Sequence, residues 1–505
     1  MKRALLTLFL SLVATIGINA QVIKEDARAI AFFEGTNDYD YLYADNSITC
    51  FDKRGNVSHE ITLNNPSDYK LKSLIENKND LTMVFHKSYN GIDSIVKLTC
   101  PKTDLSPAWK PAYVFCVKSK RIDFVGSFIS PDKSKTAVAI GYRTSKKGNM
   151  LFETAVINSN GDIINNKAIT TYHKNKQISH IDMTVNNDGM VYVSYFSSVK
   201  IHKRRSNNYC LYSVDSNVTY HGVEVLPVPW APKNLTPRIV VAKNGDQLTT
   251  YITSSLTFVL LRFDYLNKEL SYNTNVLVSP YNLSSSFNNM SAFSSPVKGY
   301  NYIVANSIYE MGDGSYISLS EATGESHKET SKVVTYTTKD KNGKTYTHSY
   351  TTVDRTDYRT YAGDILVKHF IVNDKSIDFH NSDIIKKNQR ASGEYSALRF
   401  ENKYQLSFAT DMHDSKVTVL FREGHWYSKT ITIGDDKSIN VSDLTDYGVF
   451  KFTNTLLLRE NYWIVYRKHG KRYDVKLLKS DSEQQDDVVA TDDSDESPEY
   501  DDDDE

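Results

Sequence analysis

Cysteine, proline and glycine are all scarce in this 505-residue chain, at 4, 12 and 22 residues. So little glycine and proline excludes a collagen-like or low-complexity polymer. Four cysteines without a CxxC pair exclude a dense disulfide scaffold and give no zinc or redox motif. Helical periodicity is nowhere evident, and beyond the N-terminus no segment is apolar enough to span a bilayer. HExxH, GxSxG and a glycine-rich phosphate loop are missing, so a zinc peptidase, a hydrolase elbow and a nucleotide site lack their sequence marks. The 13 histidines show no regular ligand spacing. No catalytic residue, cofactor or metal site is expected from the sequence.

Aromatic residues are plentiful, with 34 tyrosines and 21 phenylalanines, and they favour strands. Hydrophobic residues make up 40% and charged residues 24%, a balance that suits a globular chain and not a wholly disordered one. At the N-terminus Lys2 and Arg3 precede an apolar run from Ala4 to Ile18, and Ile18-Asn19-Ala20 ends on a small residue. This is the pattern of a signal peptide cut after Ala20. The expected destination is the periplasm, the outer-membrane surface or the medium. Export permits disulfides: Cys100 and Cys116 can face each other across one hairpin, or all four thiols stay free and buried.

The net charge of −1 conceals an asymmetry. Residues 481–505 hold 14 Asp or Glu and no Lys or Arg. Residues 21–480 hold 58 basic and 47 acidic residues, a net of +11. A basic body thus precedes an acidic tail whose composition is that of a disordered segment.

A local pattern recurs through the body: a short polar turn, then a β-rich run. Its anchors are Asn37, Lys78, Asp132, Asp188, Asn244, Gly299, Asn402 and Glu460. They stand 41 to 58 residues apart, except for one step of 103. A second turn follows some 25 residues on, as in CFDKRGNVSHEI (50–61) and VINSNGDIINNK (156–167). Asn, Asp and Gly between β-rich runs signal hairpins. Each unit therefore reads as four strands, A to D. Repeated radially, such units are the blades of a β-propeller, because one sheet cannot bury both faces but a ring of sheets can. Eight anchors give eight blades, and the weak first copy leaves seven as the alternative. The last unit lacks strand D, and the chain near Val22–Lys24 is expected to supply it. The predicted organisation is a signal peptide at 1–20, an all-β propeller at 21–480 with an insertion at 307–358, and a tail at 481–505.

Ser130-Pro131-Asp132, followed by Ala137-Val138-Ala139, is similar to the SPDG-type turn of WD40-like repeats. Across residues 28–480 the chain resembles secreted β-propeller repeat proteins of Gram-negative bacteria, in repeat architecture. The WD dipeptide, the kelch double glycine and the full Asp-box are absent. No family function is carried over, since propellers host both enzymes and binding platforms.

In a propeller the B–C and D–A connections share one end. Those segments are 118–121, 143–147, 173–177, 200–205, 229–238, 386–390 and 467–472, and together they carry 21 Lys or Arg and no Asp or Glu. A one-sided basic end attracts anions. Its leading positions are Lys146, Lys147, Arg204, Arg205, Lys386, Lys387, Arg467 and Arg472, with Trp230 as an aromatic neighbour. The insertion around Asp340-Lys341-Asn342-Gly343 reads as a protruding hairpin that presents Tyr336, Tyr346 and Tyr350. The expected role is a non-catalytic binding or scaffold module for an anionic glycan or an envelope protein. Nucleic acid and membrane-spanning roles are not expected. The alternative is a polysaccharide-acting lyase or hydrolase, whose mark would be a His, a Tyr and a carboxylate converging at the mouth of the central channel.

Overall fold

In the computed structural model the described residues run from 19 to 479, save 37, 67, 120, 146–147, 175–176, 202–203, 215–219, 229–236, 254–256, 277–299, 374–375, 386–407, 414, 424–426, 435, 437, 445–453, 459–461 and 470. Among them the elements are all strands, in eight four-stranded antiparallel sheets. Seven sheets take their strands in chain order: 30–62, 69–118, 122–174, 178–227, 238–276, 300–385 and 408–444. The eighth combines Asn454–Leu458, Tyr462–His469 and Arg472–Lys479 with the N-terminal strand Asn19–Ala27. Val22 lies opposite Lys476 and Lys24 opposite Val475, so the first strand closes the ring as its outermost member.

The first strands of sheets one to six touch one another in turn around the axis, as do those of sheets seven and eight and of sheets eight and one. Sheets six and seven share a core of Met311, Leu319, Val367, Val417 and Val419. This arrangement is an eight-bladed β-propeller. No helix in the described residues is long and apolar enough to cross a membrane.

The ring explains the apolar runs. In strand Val191–Ile201, Val191, Val193 and Tyr195 pack against blade three, while Tyr192 and Phe196 pack against blade five. Successive residues of a strand point to opposite faces, and here both faces are covered, so apolar residues stand on both of them. Burying a Phe or Val in this way stabilises by roughly 1.5–3 kcal/mol each.

The turns follow local chemistry. Ser130 Oγ lies 2.6 Å from Asp132 Oδ1 and accepts the Lys135 N–H at 3.0 Å, with Lys133 at φ 58°. These bonds close the A–B turn that the Ser-Pro-Asp sequence predicts.

Two turn assignments change. Tyr300–Glu310 is the first strand of blade six, and the A–B turn is Met311–Gly314, closed by Met311 N–H to Ser315 O. Phe408–His413 is likewise the first strand of blade seven. The run after Gly299 is therefore an A strand, not a B strand, and so is the described part, from Phe408, of the run after Asn402, whose residues 403–407 lie outside the described residues. Residues 307–325 consequently belong to blade six itself. The reason is that a B strand must find partners on both sides, which the turn residues alone do not encode.

The cysteines are free. Cys116 lies opposite Ser94, and Cys100 lies opposite Leu81 on the other strand, so they do not face each other.

Candidate functional site

The strand order puts all A–B and C–D turns at one end of the propeller and all B–C and D–A connections at the other. At the second end Lys118, Arg121, Lys174 and Lys200 are exposed. Arg204 and Arg205 open the third strand of blade four, opposite Ile201 and Lys200. Arg467 lies opposite Asp474 in the register of blade eight. Lys146, Lys147, Trp230, Lys386 and Lys387 lie outside the described residues.

Two of the basic residues are engaged by acids of their own chain. Arg143 donates to both oxygens of Asp123, at 2.6 and 2.9 Å. Arg472 donates to Asp26 O at 2.8 Å and lies 3.4 Å from its carboxylate. Asp68 pairs with Lys87 at 2.8 Å, and Asp45 accepts the N–H groups of Arg28 and Ala29. These acids lie in strands and in loops outside the basic segments, so reading the basic segments alone misses them. Tyr89 and Tyr172, 61% and 73% exposed, add aromatic surface at this end outside the basic segments. Tyr89 stands at a Tyr-Asn-Gly turn, the signal that locates it.

The insertion is a continuation of blade six rather than a separate loop. Strands Ser315–Lys339 and Thr345–Val372 stay paired from Ser315↔Ile371 to Lys339↔Thr345. The last described pair of the first strand is Tyr300↔Glu325 and that of the fourth is Ile365↔Ile385. Beyond those points a two-stranded ribbon extends about 45 Å at ~3.3 Å per residue. The register sorts its side chains. Tyr336 lies opposite His348, Val334 opposite Tyr350 and Thr338 opposite Tyr346, all on one face. Tyr336 stacks on His348 at 5.1 Å and meets Tyr350 edge-on at 6.2 Å. The other face carries Val333, Thr335, Ser349 and Val353. The three tyrosines read from the sequence thus share one exposed face. At the tip Asp340 accepts the Lys344 and Asn342 N–H groups, which holds its carboxyl below the usual range.

The central axis carries a second group. Asp182, Arg238 and Tyr309 stand on the first strands of blades four, five and six. Burial raises the Asp182 carboxyl to about 6, against the opposing effects of the Met183 N–H and the Arg238 charge. Burial lowers the Arg238 guanidinium, with Asp182 and Tyr309 opposing. The first strand of blade four is bulged between Ser179 and Asp182, and its His180 takes φ 52°. Bulges of this kind re-aim side chains.

The B–C and D–A connections also bring His173, His202, His348 and His469 to this end by strand order; His173 is held by Tyr195 Oη at 3.0 Å, and burial lowers its pKa, which favours the neutral ring. His348 is in the ribbon. His469 pairs with Arg472 in the backbone register, and His202 lies outside the described residues. Among the described residues no cluster of His, Cys, Asp or Glu has the arrangement of a metal site.

No known family matches the chain by sequence. No curated protein matches it either. Solved structures with a similar trace include the WD40 domain of SCAP from fission yeast, at 9% identity and TM-score 0.39, covering 92% of this chain and 94% of that one. Another is the β-propeller domain of the trilobed protease of Pyrococcus furiosus, at 10% identity and TM-score 0.32, covering 84% and 98%. A third is a lectin of Aleuria aurantia, at 10% identity and TM-score 0.28, covering 76% and 98%. The assignment to the propeller class rests on the strand order described above.

Proposed function

We propose that this chain is an exported, non-catalytic binding or scaffold module at the cell envelope, of the secreted Gram-negative repeat type. Its B–C/D–A end is the binding face, and its partner is an anionic glycan or an acidic envelope protein. The observation that carries the reading is that the lysine- and arginine-rich connections, Tyr89, Tyr172 and the tyrosine-faced ribbon belong to one end of the ring. Arginine suits bidentate contact with carboxylate or sulfate, and lysine acts as a point charge.

The acidic residues 481–505 follow Lys479, which lies at the opposite, A–B/C–D end beside Asn19. A 25-residue segment that behaves as its composition predicts for a disordered chain has an r.m.s. reach of about 25–30 Å. An eight-residue strand is about 26 Å long. The tail thus has the reach to screen the basic end from outside, where its effective concentration is high.

The test is binding of residues 21–505 and 21–480 to an immobilised anionic glycan across a salt series. Salt-sensitive binding that strengthens when the tail is removed, and falls in a Lys118→Glu/Arg121→Glu variant, is the expected result. Absence of binding by either form overturns the anion-binding reading and moves protein partners of the ribbon to the front.

Asp182 supports a second reading, a polysaccharide-acting enzyme. A carboxyl raised to about 6, with an arginine charge acting on it from the inner strand of the next blade, suits proton transfer. Depolymerisation of an anionic glycan that is lost in Asp182→Asn, with binding retained, would favour it.

A further inference from the structure

Above blade six the third strand has no pairing neighbour on its outer side among the described residues, whose last pair with the fourth strand is Ile365↔Ile385. At the tip Asp340 N–H donates to Lys344 O. Bonded and non-bonded pairs alternate along an antiparallel ladder. From Lys344 onward, the even residues therefore bond inward to the second strand. The odd residues from Thr345 to Val353 turn their N–H and C=O groups outward.

This edge lacks the usual protection against strand addition. From Thr345 to Val353, TYTHSYTTV, it has no proline and no charged residue, and the ladder is regular from Ser331 to Lys339. The opposite edge carries Lys339 at its tip end, while Lys332 pairs with Asp354 at 2.5 Å. A two-stranded ribbon is marginal in water, and a third or fourth strand is what stabilises it.

We propose that the outer edge of 344–354 pairs with the same edge of a second copy of this chain, antiparallel about a two-fold axis at Ser349. Charge favours one register, in which Asp354, already 2.5 Å from Lys332 of its own ribbon, gains a second cation. With Ser349 opposite itself, Lys344 of each copy lies opposite Asp354 of the other, just beyond the two ends of the uncharged run. Moving the centre by one residue sets Lys344 against Thr352 or residue 356 and loses that match. In the chosen register His348 faces Tyr350 of the other copy, Thr347 faces Thr351 and Tyr346 faces Thr352. Directly opposed residues share a face. Tyr336, His348 and Tyr350 of both copies therefore form one continuous aromatic surface on a four-stranded sheet. The contact is isologous and closes at a dimer. It does not depend on the anion-binding reading.

The test uses residues 21–505 with Cys116→Ser, which removes the exposed thiol. Ser349→Cys is expected to give a disulfide-linked dimer on mild oxidation, since Cα atoms of a bonded antiparallel pair stand about 5.5 Å apart, within disulfide range. Thr335→Cys, opposite Ser349 on the second strand, is expected to stay uncrosslinked. In sedimentation the unmodified chain is expected to be a dimer. Thr347→Pro, which removes one outward N–H and leaves the inward ladder intact, is expected to be a monomer with an unchanged melting temperature. Three results would overturn the proposal: a monomer at all concentrations, a dimer that survives Thr347→Pro, or crosslinking through Thr335→Cys in place of Ser349→Cys. Glycan binding by a strictly monomeric chain would leave the anion-binding reading standing and remove the dimer alone.

Discussion

The hydroxyl of Tyr462 in blade eight donates a 2.7 Å hydrogen bond to the buried carboxylate of Asp40 in blade one, 422 residues away. Asp40 also accepts from Lys53 Nζ at 2.9 Å and from the Gly35 N–H at 3.1 Å. The bond crosses the seam where the ring closes, beside a core of Leu42, Phe51, Ile464 and Leu477. Tyr462→Phe leaves part of a buried charge unsatisfied and is expected to cost about 1–3 kcal/mol. Urea unfolding checks this against Tyr89→Phe, an exposed control expected to change little. Equal midpoints for the two variants would show that the seam does not depend on this bond.

Gly55 reaches the same ring from the C–D turn of blade one. Its φ is 76°, and a Cβ there would lie 2.5 Å from the Tyr462 ring. Left-handed backbone alone costs an alanine roughly 1–2 kcal/mol. Gly55→Ala is therefore expected to lose about 2 kcal/mol or more, the excess arising from displacement of the ring. Thermal unfolding of Gly55→Ala in the wild-type and Tyr462→Leu backgrounds separates the two costs. An equal loss in both backgrounds would assign all of it to the backbone.

The closing strand gives a third expectation. Residues 21–505 keep Gln21–Ala27 paired with the last strand and are expected to unfold in one cooperative step. A chain starting at residue 28 leaves the edge of Arg472–Lys479 unpaired and is expected to aggregate and to melt lower. Adding a peptide of residues 19–27 in trans is expected to restore part of the loss. Identical melting of the two chains would mean that the ring holds without its latch.

A fourth concerns pH. Burial raises the Asp182 carboxyl to about 6 from an ordinary value of 3.8. The folded chain then holds this proton after the unfolded chain has released it. Its stability falls as pH rises from about 4 to about 6, and the strain persists above that window. The shift corresponds to about 3 kcal/mol at ~1.36 kcal/mol per pH unit. Asp182→Asn, which mimics the neutral acid, is expected to stabilise the protein at pH 7.5 and to do little at pH 3.5. Melting curves at the two pH values test this, and a variant that is destabilised at pH 7.5 would show that the Arg238 pair outweighs burial.

Much of the architecture was legible in the sequence because turn chemistry is local. Ser130-Pro131-Asp132 closes its own turn with its own side chains, and Asp340 organises the hairpin tip in the same way. These bonds span two to five residues, so four strands per repeat, eight repeats and the long hairpin could be read in order. Other features depended on residues far apart in the chain. Tyr300–Glu310 and Phe408–His413 became first strands because of the neighbours they found, which their turn residues do not specify. Arg143 and Arg472 looked free until folding brought Asp123 and Asp26 against them. The tyrosines were visible from the start, but the register of 24 residues on each side of the tip decided that they share one face. Local hydrogen bonding set the elements, and closure of the ring decided which charges meet.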